Sequence, residues 1–456
     1  MPEYLHAWIG DEHVGVFEKV SPAHRATFVY DQGSRRHLSL SLPYDGPLTK
    51  KSPQNFLDGL IPEDPGAKEN MRELTHARST ESWDLLSAAN ADLPGGVLLT
   101  TQETQPGRGE DFTELAQESE ISARITEIKR GGSGLGDFSA PPRFSLAGAQ
   151  GKFALTIDRG ECFWPDAATP STHIVKPART DHPGLDEVEA ASLDLAQRMG
   201  ISAAESRVAV FHGQTAFMTK RFDRAETDGG AVVRLHTEDV AQALGFSPEE
   251  KYVVGAQRTI GLLRKYGVDE NVRYDFIEQL AFNITIGNAD AHAKNYTLMH
   301  QEDGVTLSPI YDTVPIALMP GYEQKLGMRV GNQRYAKGVA AGDWVRLSRK
   351  SSLDVDRVLG IVQDVNLKFL DHVEETLART KMAQTHPREM ELLLRTAERA
   401  AGLPERSDRA STHIPISRVS NGQDRRKDRG LDKTAAGGNG GSFTTHQRPS
   451  SPPPSP

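Results

Sequence analysis

The chain has 456 residues, 37% of them hydrophobic and 25% charged, enough to bury a large core in two or three domains. A formal net charge of −9 argues against a protein built to coat nucleic acid, and a single cysteine, Cys162, excludes a disulfide framework within the chain. The N-terminus lacks the basic flank and apolar run of a signal peptide, and no stretch reaches the ~18 apolar residues of a membrane-spanning helix, so a soluble, cytoplasmic protein with no membrane partner is expected.

Residues 1–104 mix short β-like runs (HAWIG, ATFVY, HLSLSL) with turn signals, then a helical stretch, ESWDLLSAANA. They predict a small N-terminal α+β module with no cluster of reactive side chains. Residues 105–139 are rich in Gly, Pro and charge and are expected to be a linker. The next domain, 140–225, opens with FSLAGAQGKFALTIDRGECFWP. KFALTID and ECFWP flank Arg159-Gly160 and predict a hairpin. The small residues of SLAGAQGK would let backbone N–H groups approach an anion, although the Walker A spacing is absent and an ordinary turn explains the stretch as well. STHIVKP predicts a strand with Ile174 and Lys176 on one face. A lysine buried there needs a carboxylate or phosphate partner. The helix expected over about Leu185–Met199 carries two candidates, Glu187 and Glu189, each of which could equally face solvent.

The region 226–402 reads as mainly helical. In YDFIEQLAFNITIG, Phe276, Leu280 and Ile284 recur at helical spacing and Gly287 stops the helix. The polar loop GNADAHAKNY follows, then two β-like runs, YTLMH and VTLSPI, joined by the turn QEDG. A hairpin there would return Asp312 beside Asn295. Phosphoryl transfer needs a carboxylate to orient the attacking hydroxyl and oxygen ligands for Mg²⁺. Asp290 fits the first role; Asn295, five residues on, and Asp312 fit the second. Taken singly, Asp290 could be a turn acid, Asn295 a hairpin start and Asp312 a turn residue. Asp290-x-His292, with His173 or His212, could instead hold the zinc of a hydrolase. Residues 403–456 lose apolar periodicity and carry nine basic against five acidic residues, which predicts a disordered tail.

SLAGAQGKFAL, TPSTHIVKPA, TKRFDR, NADAHAKN and SPIYDTVP together resemble the HipA family of bacterial serine/threonine kinase toxins. LSLSLPYDGPL and NFLDGLIPED are similar to that family's N-terminal domain, so the resemblance covers roughly residues 1–402. It implies an α+β, two-lobed protein-kinase-like fold behind a small N-terminal α/β module, and ATP- and Mg²⁺-dependent phosphorylation. Carried across by position, Asp290 would be the catalytic base, and Asn295 and Asp312 the metal ligands. Lys176 would contact the phosphates, and Ala147, Gly148, Ala149, Gln150, Gly151 and Lys152 would form the phosphate loop. His292, Ala293, Lys294 and Tyr311 would line the nucleotide site. Lys220, Arg221 and Phe222 would form the hinge against adenine. Ser145 would be an autophosphorylation site. The implied partners are a small helix-turn-helix antitoxin, DNA through that antitoxin, and a protein substrate such as a translation factor or aminoacyl-tRNA synthetase. A weakly catalytic co-repressor is the alternative within the same fold.

Overall fold

The computed structural model describes residues 2–21, 23–45, 49–89, 92–104, 114–132, 151–165 and 168–403. The N-terminal module is built on strands β1 (Glu3–Ile9), β2 (Glu12–Lys19), β3 (Thr27–Tyr30) and β4 (Val97–Thr100), in the order β3-β2-β1-β4, all antiparallel. Along β1 every second side chain, Leu5, Ala7 and Ile9, points into the core, as the pleat requires. Helices α1 (Ser52–Gly59), α2 (Pro65–Thr75) and α3 (Ser82–Ala88) complete the module. Because its sheet is wholly antiparallel, the module is α+β and not the α/β unit of the family expectation.

HLSLSL is not a strand, although its alternation is physically real. Leu38, Leu40 and Leu42 are all buried, but Leu38 and Leu42 enter the module's core while Leu40 enters the core of the large helical lobe. The backbone N–H of Leu40 donates to Glu238 (2.8 Å) and that of Leu38 to the Tyr30 hydroxyl (2.9 Å). Side chains from elsewhere thus satisfy groups that a neighbouring strand would otherwise pair.

A second correction concerns the expected linker. Within 105–139, α4 (Glu118–Lys129) is a regular helix that buries Ile121, Ile125 and Ile128. These side chains share a core with Phe153, Leu155, Val175 and Met218 of the next sheet, so α4 belongs to that lobe. The sheet contains β5 (Phe153–Asp158), β6 (Glu161–Phe163), β7 (His173–Lys176), β8 (Ser206–Phe211) and β9 (Gln214–Lys220), ordered β6-β5-β7-β9-β8. The hairpin at Arg159-Gly160 is present, and α5 (Leu185–Arg198) covers the opposite face of the sheet.

The chain then passes through the ribbon β10 (Arg224–Glu226) and β11 (Val232–Arg234) to β12 (Thr237–Asp239) and α6 (Val240–Ala243). The helical lobe contains α7 (Ala256–Lys265), α8 (Glu270–Thr285), α9 (Ala341–Ser351), α10 (Val355–His372), α11 (Lys381–Thr385) and α12 (Pro387–Ala400). The hairpin β13 (Thr297–Gln301) and β14 (Gly304–Leu307) pairs with β12. Helix α8 is buried almost all round and ends at Gly287, whose φ is +73°. A Cβ there would lie 2.4 Å from the Ala317 Cβ. Gly287→Ala therefore combines a left-handed backbone with an overlap between packed segments. It should cost about 2–4 kcal/mol, read as a lowered urea midpoint. Apart from Leu403, the expected disordered tail, 403–456, lies outside the described residues.

Candidate active site

The site lies in a cleft between the five-stranded sheet, the helical lobe and the N-terminal module. Lys176 ends β7 beside Val175, which is fully buried in the sheet core, so the lysine faces the cleft. Its Nζ donates to Glu189 Oε1 (2.8 Å) on α5 and to Asp312 Oδ1 (2.7 Å). Of the two candidate partners, Glu189 is therefore the one used; Glu187 accepts from the backbone N–H of Lys381 at the surface. Burial alone would lower the Lys176 pKa, but the charges of Asp312 and Glu189 outweigh it and raise it well above the lysine range. Asp312 shows the converse: burial pushes its carboxyl up, and Lys176 overrides this and holds it far below the usual range. Both groups are charged across the physiological range.

The hairpin does return Asp312 beside Asn295. Asn295 Nδ2 donates to Asp312 Oδ2 at 2.9 Å, and Asn295 Oδ1 accepts from the His292 backbone N–H at 3.2 Å. Asp312 sits at φ +52°, a conformation that aspartate adopts more readily than most residues. His292 is buried; burial and then the Lys251 charge push its pKa well below the ordinary value, so the ring is neutral. Its Nδ1 is buried without a hydrogen-bond partner among the described residues. Lys294 donates to Asp239 Oδ2 (2.7 Å), and the Tyr311 hydroxyl donates to the Lys294 carbonyl (2.6 Å). The Phe222 and Tyr311 rings pack at 5.1 Å and cap the sheet side of the cleft.

Lys152, Lys176, Lys220, Arg221, Phe222, His292, Lys294, Asn295, Tyr311 and Asp312 all line this one cleft. Three expected residues do not. Asp290 lies just outside it, where the Tyr252 hydroxyl donates to its Oδ1 at 2.7 Å. Ala293 is fully buried beneath the loop, its N–H directed to the Lys251 carbonyl (3.3 Å). Gly151 faces Ile128 of α4. Ser145 and Ala147–Gln150 lie outside the described residues. The Arg221 guanidinium enters a buried network with Asp223 (2.6 Å) and Asp92 (3.3 Å). Lys220 is exposed.

Four contributors gave no usable signal in the sequence: Glu63, Asp239, Lys251 and Tyr252. Glu63 comes from the N-terminal module and pairs with Lys251 at 2.6 Å. Burial would raise its carboxyl, yet Lys251 and Lys294 bring it down to about 2. NFLDGLIPED marks the module but assigns Glu63 no role, and single residues far apart in the chain leave no spacing to read.

The cleft concentrates cations where a polyphosphate would lie. Burial and the neighbouring Lys176 charge bring the Lys152 amine down to about 8. A bound phosphate would raise it again. ATP affinity should then be flat below about pH 8 and weaken from about 8 to 10, where binding must take up a proton. Lys152→Met should remove that slope in titration calorimetry; an unchanged slope would assign it to another group. The zinc alternative finds no support in donor chemistry, because no group of three or more His, Cys, Asp or Glu among the described residues could hold a metal ion.

The HipA-like C-terminal domain model matches residues 144–373 and the HipA N-terminal domain model residues 5–100. A Sinorhizobium fredii protein, Y4mE, described as a candidate kinase, is 28% identical over 397 residues, 82% of this chain and 91% of its own. The serine/threonine-protein kinase toxin HipA of Shewanella oneidensis is 28% identical over 356 residues, covering 72% and 79%. The solved complex of HipA, HipB and operator DNA from the Shewanella oneidensis toxin–antitoxin system aligns with a TM-score of 0.75 and 25% identity, covering 88% of this chain and 98% of that one. With both domain models matched in order and the fold shared along most of the chain, this protein belongs to the HipA family of serine/threonine kinases.

Proposed function

We propose that the chain transfers the γ-phosphoryl group of ATP to a serine or threonine hydroxyl of another protein, in the cytoplasm, as the toxin of a toxin–antitoxin pair. The observation that carries this is the buried chain of contacts Glu189–Lys176–Asp312–Asn295, with Asp290 on the loop before it. The hydroxyl oxygen bonds to the γ-phosphorus while the bond to the ADP oxygen breaks, and Asp290 accepts the hydroxyl proton. Tyr252 orients that carboxylate through its hydrogen bond. Lys152 and Lys176 meet phosphate charge, and Phe222 and Tyr311 offer the aromatic wall for a base.

The Asn295 and Asp312 donors suit a hard cation such as Mg²⁺, which would supply charge neutralisation on the phosphates. Asn295 shows its amide nitrogen to Asp312, so joint ligation requires that amide to turn over. The proposed partners are a small DNA-binding antitoxin and, through it, operator DNA; the similar Shewanella oneidensis complex of HipA, HipB and operator DNA supports this. No helix among the described residues is long and apolar enough to cross a membrane.

The test is transfer of radiolabelled phosphate from ATP by the purified chain, with and without Mg²⁺. Mass spectrometry of the same sample should find phosphate on Ser145, whose role rests on the family resemblance alone. Label that appears without Mg²⁺, or none at all with a full set of cellular proteins, would sink the reading.

A further inference from the structure

A second groove has lining residues close in the chain to those that surround Asp290. It runs along α7 between the 329–332 segment, α9 and the N-terminal module at Pro43. Its inner end is Val253, 60% exposed and next to Tyr252, the residue bonded to Asp290. The opposite wall begins at Arg329, two residues from Gly327, which packs on the backbone of Ala291 and His292. Two of its walls are therefore close in the chain to residues that touch the loop of Asp290.

Its charge is one-sided. Arg258, Lys265, Arg329 and Lys350 line it and are exposed, and no aspartate or glutamate is among its described lining residues. Arg258 stacks over Phe246 (5.1 Å) and Lys265 approaches the Tyr266 hydroxyl (3.5 Å). None of the four is ion-paired with a carboxylate among the described residues. The nearby Asp343 is buried and committed to the Ala340 N–H and to Arg346. The N-terminus of α7 adds its own partial positive charge at the inner end. Four cations held together without counter-charges repel one another, an arrangement that a complementary anionic partner relieves.

We propose that this groove binds the acidic flank of the protein substrate, placing a serine or threonine set among Asp and Glu residues at Asp290. The proposal rests on the kinase reading above and deepens it by naming the substrate class. Nucleic acid is the other polyanion that such a surface could attract. The peptide is favoured because Val253 of the groove is next to Tyr252, which bonds Asp290, and because the chain's overall charge is −9.

The test uses the full chain and three fluorescent probes: a peptide with a central serine flanked by Glu and Asp, its Gln and Asn counterpart, and a DNA duplex. At low salt the acidic peptide should bind about tenfold more tightly than the neutral one. The double variant Arg258→Glu/Lys350→Glu should erase that preference while ATP affinity and melting temperature stay unchanged. Arg329→Gln should weaken it. In the transfer assay the same variants should raise the peptide KM and spare kcat. Equal binding of both peptides, or a preference that survives charge reversal, overturns the proposal. So does DNA binding that exceeds peptide binding and vanishes on reversal. If transfer proceeds without acidic preference, the groove assignment fails and the kinase reading stands. If the preference and its loss are seen but no protein or peptide is labelled, the kinase reading fails and the groove stands.

Discussion

Asp290→Ala is expected to lower phosphoryl transfer by about 10²–10⁴-fold, the usual worth of a positioned general base. ATP binding should be almost untouched, because Asp290 is not among the residues that line the cleft proposed to hold the nucleotide. The variant should fold, since the position is half-buried and Asp290 is not part of the hydrophobic core. Tyr252→Phe makes the companion measurement. It keeps the carboxylate but frees its orientation, so kcat should fall by less than in Asp290→Ala with the ATP dissociation constant unchanged. A full transfer rate in Asp290→Ala would mean that another group receives the proton. Asp312→Ala must behave differently, losing Mg²⁺-dependent ATP binding as well, because it removes the carboxylate paired with Lys176 and bonded by Asn295.

Asp92→Ala should destabilise the protein by about 3–5 kcal/mol, the cost of leaving buried cations unpaired. Asp92 has no exposed surface and lies within ion-pair distance of Arg221 (3.3 Å), Arg224 (3.0 Å) and Arg234 (2.8 Å). It also accepts from the Ser171 backbone N–H (3.0 Å) and hydroxyl (2.7 Å). It joins the N-terminal module to Ser171, just before β7, and to Arg221, Arg224 and Arg234. Burial would raise its carboxyl, but Arg224, Arg234 and Arg221 outweigh burial and hold it far below the usual range. A depressed carboxyl stabilises the fold above the unfolded aspartate value of about 4 and loses that contribution as pH falls through the depressed one. Asp92→Asn should therefore flatten the acid limb of the stability curve. A urea midpoint for Asp92→Ala close to the parent's would show that the module docks by its apolar contacts alone.

Much of the loop at 287–296 was legible because its chemistry is local. Asp290 and Asn295 are five residues apart, and the hairpin of β13 and β14 has only a two-residue turn, so the return of Asp312 to Asn295 followed from strand geometry. The Lys176 side chain's inward direction followed from alternation along β7, whereas the sequence offered Glu187 and Glu189 equally and only the structure selected Glu189. HLSLSL misled because alternation reports burial and says nothing of which groups take the backbone hydrogen bonds. The linker expectation failed at α4 because glycine and charge on either side outweighed a short helix in the composition.

What the sequence by itself determined is the two hairpins, the helix before the polar loop, the loop that holds Asp290, His292, Lys294 and Asn295, and the family. Each of these depends on residues within a helix turn, a hairpin or a motif of one another. What only the tertiary structure decided is the company those residues keep. Glu63 reaches Lys251 from 188 positions away, Asp239 holds Lys294 across 55, and Asp92 gathers three arginines more than 120 residues downstream. A charged side chain in a single sequence looks the same whether water or a buried partner neutralises it. The difference arises only when packing removes the water and leaves the partner, and it is that removal which sets the charges in this cleft.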